Sequence, residues 1–274
     1  MTSPRPTRPL VWALTCLLAM LTTGSANAAY IIDLTAATSP VNYQGAIYAQ
    51  TSQQPVGTGV FDPFVRIQMR GTEAGYNTDA RPVEFETKDQ NQWTHSLALN
   101  SLQSVAINGT QYYQFTLDIN EKGNASGSLL SMNDFRVYLG NSGSLTGFND
   151  GFGSNSVKVY DIDSGNLGDT RVDLNAKLNP PGSGVADLNV YIPVSNFTGF
   201  GSQYSYVYLY SKFGNPYASD SGFEEWASLN GSSSEPGPGP SPFSVPAPGG
   251  VVLGLIGAGL FLGRNLRRRL VVKS

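Results

Sequence analysis

From residue 30 to about residue 230, apolar and polar positions alternate with a period of two. Val65, Ile67 and Met69 alternate with Arg66, Gln68 and Arg70, and Phe115, Leu117 and Ile119 alternate with Thr116, Asp118 and Asn120. The same spacing recurs in Phe135, Val137 and Leu139, in Val172, Leu174, Ala176 and Leu178, and in Leu188, Val190 and Ile192. Successive side chains of a strand point to opposite faces, so each run predicts a strand with one face in a core and one toward water. Between Ser104 and Phe115, Asn108-Gly109 separates two such runs and supplies the two positive-φ positions of a type I′ hairpin turn. Many short strands, Gly, Asn and Ser turns and no convincing helical stretch predict an all-β body, a single antiparallel β-sandwich of jelly-roll-like form. No internal linker divides it.

The two ends of the chain break this pattern. Arg5 and Arg8 precede an apolar run from Leu10 to Leu21, followed by small residues up to Ala29. This is the layout of a secretory signal peptide, residues 1–28, with Ala26 and Ala28 presented to signal peptidase. The expected first partners are therefore the Sec translocon and signal peptidase. Cys16, the single cysteine, lies inside the apolar run, so a mature chain would have neither disulfides nor thiolate chemistry.

At the other end a Gly-, Ser- and Pro-rich linker fills residues 231–244, and up to Pro242 it has no apolar residue to bury, so it is a spacer. Then come Val245-Pro246-Ala247-Pro248, a Gly-rich apolar run over 251–263, and Arg264, Arg267, Arg268 and Arg269. An apolar helix capped by arginines places the cluster on the cytoplasmic side and the body outside. The run is shorter than the roughly 20 residues of a lasting membrane span.

Residues 245–274 resemble the PEP-CTERM sorting signal read by exosortase, a membrane-embedded transpeptidase-like enzyme of Gram-negative bacteria, with Ala247 where the usual motif has Glu. The resemblance implies recognition and processing at Val245, Pro246, Ala247 and Pro248, stop-transfer by 251–263, and retention by Arg264, Arg267, Arg268 and Arg269. It further implies an inner-membrane intermediate and a final place at the cell surface, in the exopolysaccharide matrix of a biofilm, or in the medium. Without cleavage the same tail would be a single-pass anchor.

Setting both ends aside changes the charge. The whole chain sums to -3, but ten basic and all 20 acidic residues lie between residues 29 and 244, so the body carries -10. That disfavours nucleic acid as a partner.

Candidate chemistry in the body is sparse. His95 is the only histidine, and no Gly-x-Ser-x-Gly elbow accompanies it, so a serine triad or a zinc site is not expected and His95 is read as an ordinary strand residue. Glu224 and Glu225 beside Trp226 would face opposite sides of a strand. One of them would need Asp62, Asp118 or Asp134 as its partner to hydrolyse a glycan.

Asp161, Asp163 and Asp169 offer hard oxygen ligands for calcium, although Val172 stands where an EF-hand needs its bidentate glutamate. Tyr204, Tyr206, Tyr208 and Tyr210 share one strand face. Exposed, they would form a stacking platform for a glycan; covered, they would be core. The expectation is a non-enzymatic structural or adhesive envelope protein, with a carbohydrate-binding module and a glycan-active enzyme as alternatives.

Overall fold

The computed structural model describes residues 30–51, 62–122, 127–179, 186–220 and 222–229. The predicted signal peptide, spacer and sorting segment lie outside them. The described chain is mostly β, with two seven-stranded sheets and a two-stranded ribbon. No helix among the described residues is long and apolar enough to cross a membrane.

The first sheet runs β1 (Tyr30–Leu34), β12 (Thr170–Asn175), β10 (Leu129–Gly140), β14 (Tyr206–Phe213) and β6 (Glu73–Tyr76). β11 (Ser156–Asp161) also pairs with β10, and β7 (Leu97–Ala98) with β14. The second runs β2 (Val41–Tyr43), β3 (Ala46–Gln50), β13 (Leu188–Pro193), β9 (Thr110–Ile119), β16 (Glu224–Ser228) and β4 (Pro63–Ile67), with β8 (Ser104–Ile107) on β9. β5 (Arg70–Gly71) and β15 (Ser219–Asp220) form the ribbon. Every pairing is antiparallel except β1 with β12, an edge pair that alternation alone does not reveal.

The period-two pattern explains the core. Phe115, Leu117 and Ile119 from the second sheet and Phe135, Val137 and Leu139 from the first belong to one buried cluster, joined by Leu188, Val190, Ile192 and Trp226. Trp226 is fully enclosed, lies 5.1 Å from Phe135 between ring centroids, and donates its indole N–H to Ser211 Oγ at 3.0 Å. The Asn108-Gly109 turn forms as expected, with φ of 50° and 82° between β8 and β9. Positive φ at both positions is what a two-residue hairpin of this twist requires.

Two predicted runs stop early, and a third stretch forms no strand. β12 ends at Asn175, whose side chain accepts from Lys177 N–H at 3.0 Å and turns residues 176–178 into a short 3-10 helix, leaving Leu178 exposed. β4 ends at Ile67; Met69 is exposed and donates its N–H to Glu73. The Trp93–Ser96 stretch is a turn and its exit rather than a strand, with His95 Nδ1 2.9 Å from the Ser96 carbonyl oxygen.

Candidate functional site

Within the tyrosine stripe Tyr208 and Tyr210 are buried, and Tyr204 and Tyr206 are half-buried. Tyr206, Tyr208 and Tyr210 lie on β14, whereas Tyr204 precedes the strand and donates its hydroxyl to the Ser154 carbonyl at 3.1 Å. Val207 and Leu209 enter the main core, as alternation requires, with Tyr204 packed against it, and Tyr206, Tyr208 and Tyr210 face the outer side of the first sheet. There the connection from β10 to β11 folds back over them. Its Phe148 stacks on Tyr210 with centroids 4.5 Å apart and on Tyr76 at 5.5 Å, and Phe152 lies 4.7 Å from Tyr208.

Glu84 pins this connection by accepting from Gly147 N–H at 2.7 Å, Phe148 N–H at 3.2 Å and Tyr76 Oη at 2.7 Å. The Tyr208 hydroxyl donates to the Ser142 carbonyl and accepts from Leu145 N–H. With 1% and 8% of their surface exposed, Tyr208 and Tyr210 offer no face for a sugar ring, and burial pushes both phenols up to about 12. Of the two alternatives, the covered one holds and the open platform does not: Tyr208 and Tyr210 form a second, satellite core with Tyr76 and Phe152, and half-buried Tyr206 packs against it. The signal for it was Phe148 and Phe152 in an otherwise Gly-, Ser- and Asn-rich segment.

The two adjacent glutamates face opposite sides, as their spacing predicted, and both are buried. Glu225 ion-pairs with Arg66 directly across the β16–β4 register. The Arg66 guanidinium in turn lies 3.6 Å from the Trp93 ring centroid and 4.5 Å from that of Phe223, a cation–π sandwich. Burial raises the Glu225 carboxyl while the Arg66 charge opposes the rise.

Asp118 stands opposite Glu225 on β9 and is also buried. Asp134 lies on β10 of the other sheet, in contact with Arg136 at 2.7 Å, and Asp62 is exposed beside β4. Glu224 and Glu225 are 0% and 2% exposed, so neither presents a carboxylate that a polymeric glycan could reach.

A carboxylate cluster that could take a hard cation is present, with one change of membership. Asp134 joins Asp161 and Asp163, with one oxygen from each within 4.8 Å of the others, while Asp169 is exposed beside them. Asp161 closes β11, and its Oδ1 accepts from Asp163 N–H at 2.9 Å; Asp163 Oδ1 accepts from Thr170 N–H at 2.7 Å.

Two cations already lean on the group. Arg136 lies 2.7 Å from Asp134 and 3.8 Å from Asp161, and Lys158 Nζ is 2.9 Å from Asp161. Asp134 Oδ1 is nevertheless buried without a partner, and burial pushes this carboxyl up to about 7 against the pull of Arg136. Three carboxylates with one orphaned oxygen suit a hard divalent ion, which would compete with Arg136 and Lys158 for the same oxygens. Asp134 lies far away in sequence from the loop it joins, so spacing could not have found it.

A cavity of about 310 Å³ opens between β1 and β12 on one side and β3 and Asp187 on the other. Its polar lining is already engaged. Gln50 Nε2 donates to the Leu34 and Ala36 carbonyls, and Asp187 accepts from Ile119 N–H and Asn179 Nδ2. Burial pushes the Asp187 carboxyl up to about 7.

A scan against protein-family models found no match, and searches of curated proteins and of solved structures returned none either.

Proposed function

We propose that the chain is an exported, cell-envelope or exopolysaccharide-associated protein of structural or adhesive role. Its body would be a jelly-roll-like β-sandwich, delivered through exosortase by its C-terminal segment. The observation that carries this reading is the order of Pro246-Ala247-Pro248, the apolar run 251–263 and the arginines from Arg264 to Arg269, behind a spacer of Gly, Ser and Pro. The described body supplies what such a cargo needs. It is a strand-rich fold with a large enclosed core, and Tyr208 and Tyr210 of its tyrosine stripe are spent on packing rather than displayed.

The arginine cluster would hold the chain in the inner membrane until the proline motif is processed, and the spacer would keep the body clear of the bilayer. Deleting exosortase is expected to leave the protein in the inner-membrane fraction with its tail attached. The same fractionation pattern in the deletion strain and in the wild type would contradict the reading.

In a calcium-containing envelope, Asp134, Asp161 and Asp163 would hold a structural calcium ion. Calcium is then expected to raise the melting temperature by about 3 °C, consistent with mass-action stabilisation of a site on a domain of this size. Asp161→Ala is expected to remove the calcium response. A chain that melts at one temperature with calcium and with chelator has no such site.

A further inference from the structure

Three glutamates that no part of the sorting scheme uses meet inside the molecule. Glu224 lies on the inward face of β16, the face of Trp226, and Glu73 lies on the inward face of β6 in the other sheet. Glu121 follows β9. The three are 0%, 1% and 9% exposed, and the Glu224 carboxyl is within hydrogen-bonding reach of both Glu73 and Glu121. Glu73 accepts from Met69 N–H and from Ser219, which also reaches Glu121, and Glu121 accepts from Asp220 N–H at 3.0 Å.

Neither oxygen of Glu224 has a donor, and Glu73 Oε1 has none. The remaining charged groups facing the cluster do not neutralise it. Glu86 and Asp220 are acidic, and Lys122 is spent on Asp220 at 3.5 Å with a mostly exposed side chain.

A fully buried carboxylate without donor or cation is very costly, and two carboxylates in contact do not both stay ionised. One shared proton resolves both problems, because an O–H donated from Glu224 to a neighbouring carboxylate makes a strong charge-assisted bond. We infer that Glu224, Glu73 and Glu121 form a buried proton-binding latch that ties the two sheets together at this end and loosens when the proton is lost.

Burial and the neighbouring carboxyls raise Glu224 well above the usual glutamate range, and burial pushes Glu121 up to about 7. A carboxyl raised on folding contributes stability that is present at acid pH and is lost as pH rises through its folded value. The latch is therefore closed in mildly acidic surroundings and weakens from about neutrality upward.

Asp134 and Asp187 titrate in the same direction, so the test compares Glu224→Gln with the unaltered full chain in mild detergent at pH 5 and pH 8. Glutamine keeps the size and a donor but no charge. The variant is expected to melt about 4 °C higher than wild type at pH 8 and no higher at pH 5. A protonated-carboxyl infrared band present in wild type at pH 7 should be lost or weakened in the variant.

An equal effect of the substitution at both pH values, or an unchanged infrared band, would overturn the latch. So would a calcium-dependent rise in melting temperature that Glu224→Gln abolishes, since a cation rather than a proton would then sit among the carboxyls. Where Glu224→Gln fails to fold, Glu73→Gln gives the same comparison from the opposite sheet.

Discussion

Replacing Trp226 by alanine is expected to lower the stability of the body by about 3–5 kcal/mol, a fall of roughly 10 °C in melting temperature. The side chain is wholly enclosed, packs against Phe135 of the opposite sheet and bonds Ser211 Oγ through its indole N–H. Truncation therefore leaves a cavity between the sheets and also strands the Ser211 hydroxyl in an apolar setting. Trp226→Phe keeps most of the contact and is expected to cost less than half as much. Thermal unfolding followed by near-ultraviolet circular dichroism measures both; a loss below about 1 kcal/mol for the alanine variant would mean that the sheets do not meet at this residue.

The second large effect is expected on the outer face of the second sheet. Arg66→Ala removes the partner of a carboxylate whose side chain is 3% exposed, together with a guanidinium packed against Trp93 and Phe223. Breaking a buried pair from one side costs about 3–5 kcal/mol, because the other charge is left without compensation.

The sign of the pH dependence follows from Glu225. Burial already raises its carboxyl, and losing the Arg66 charge raises it further. The variant should therefore keep most of its stability near pH 5 and lose it as pH rises. Adding Glu225→Gln to Arg66→Ala removes the stranded charge, and the double variant is expected to be more stable than Arg66→Ala alone at pH 8. If the double variant were the weaker of the two, the cost would lie in lost packing rather than in the uncompensated charge.

How much of this was legible in the sequence depends on whether the signal was local. The alternation in Phe115–Ile119, Phe135–Leu139 and Leu188–Ile192 marks true core strands, because a period of two is imposed by the pleat itself. Asn108-Gly109 marks its hairpin for an equally local reason.

Elements set by distant partners were not legible. The parallel place of β1 beside β12 depends on tertiary pairing. The end of β12 at Asn175 has a local cause, its side chain accepting from the backbone N–H two residues on, but an asparagine inside an alternating run does not announce that cap. The tyrosine stripe shows the limit most plainly. The alternation placed Tyr206, Tyr208 and Tyr210 on one face, but whether that face meets water is decided by Phe148 and Phe152, carried in by another segment. Likewise Asp134 completes an acidic group begun by Asp161 and Asp163 only because β11 pairs with β10 in the first sheet, and Glu73 meets Glu224 only because the two sheets face each other.

The exported-cargo reading stands on a tail whose fate leaves a chemical mark. The most direct measurement is the mass of the mature protein's C-terminal peptide, taken from wild-type cells and from cells lacking exosortase. A wild-type chain ending at or near Val245–Pro248 is expected and, in the deletion strain, a chain ending at Ser274 with Arg264, Arg267, Arg268 and Arg269 still attached. Recovery of an intact C-terminus at Ser274 from wild-type cells would contradict that reading.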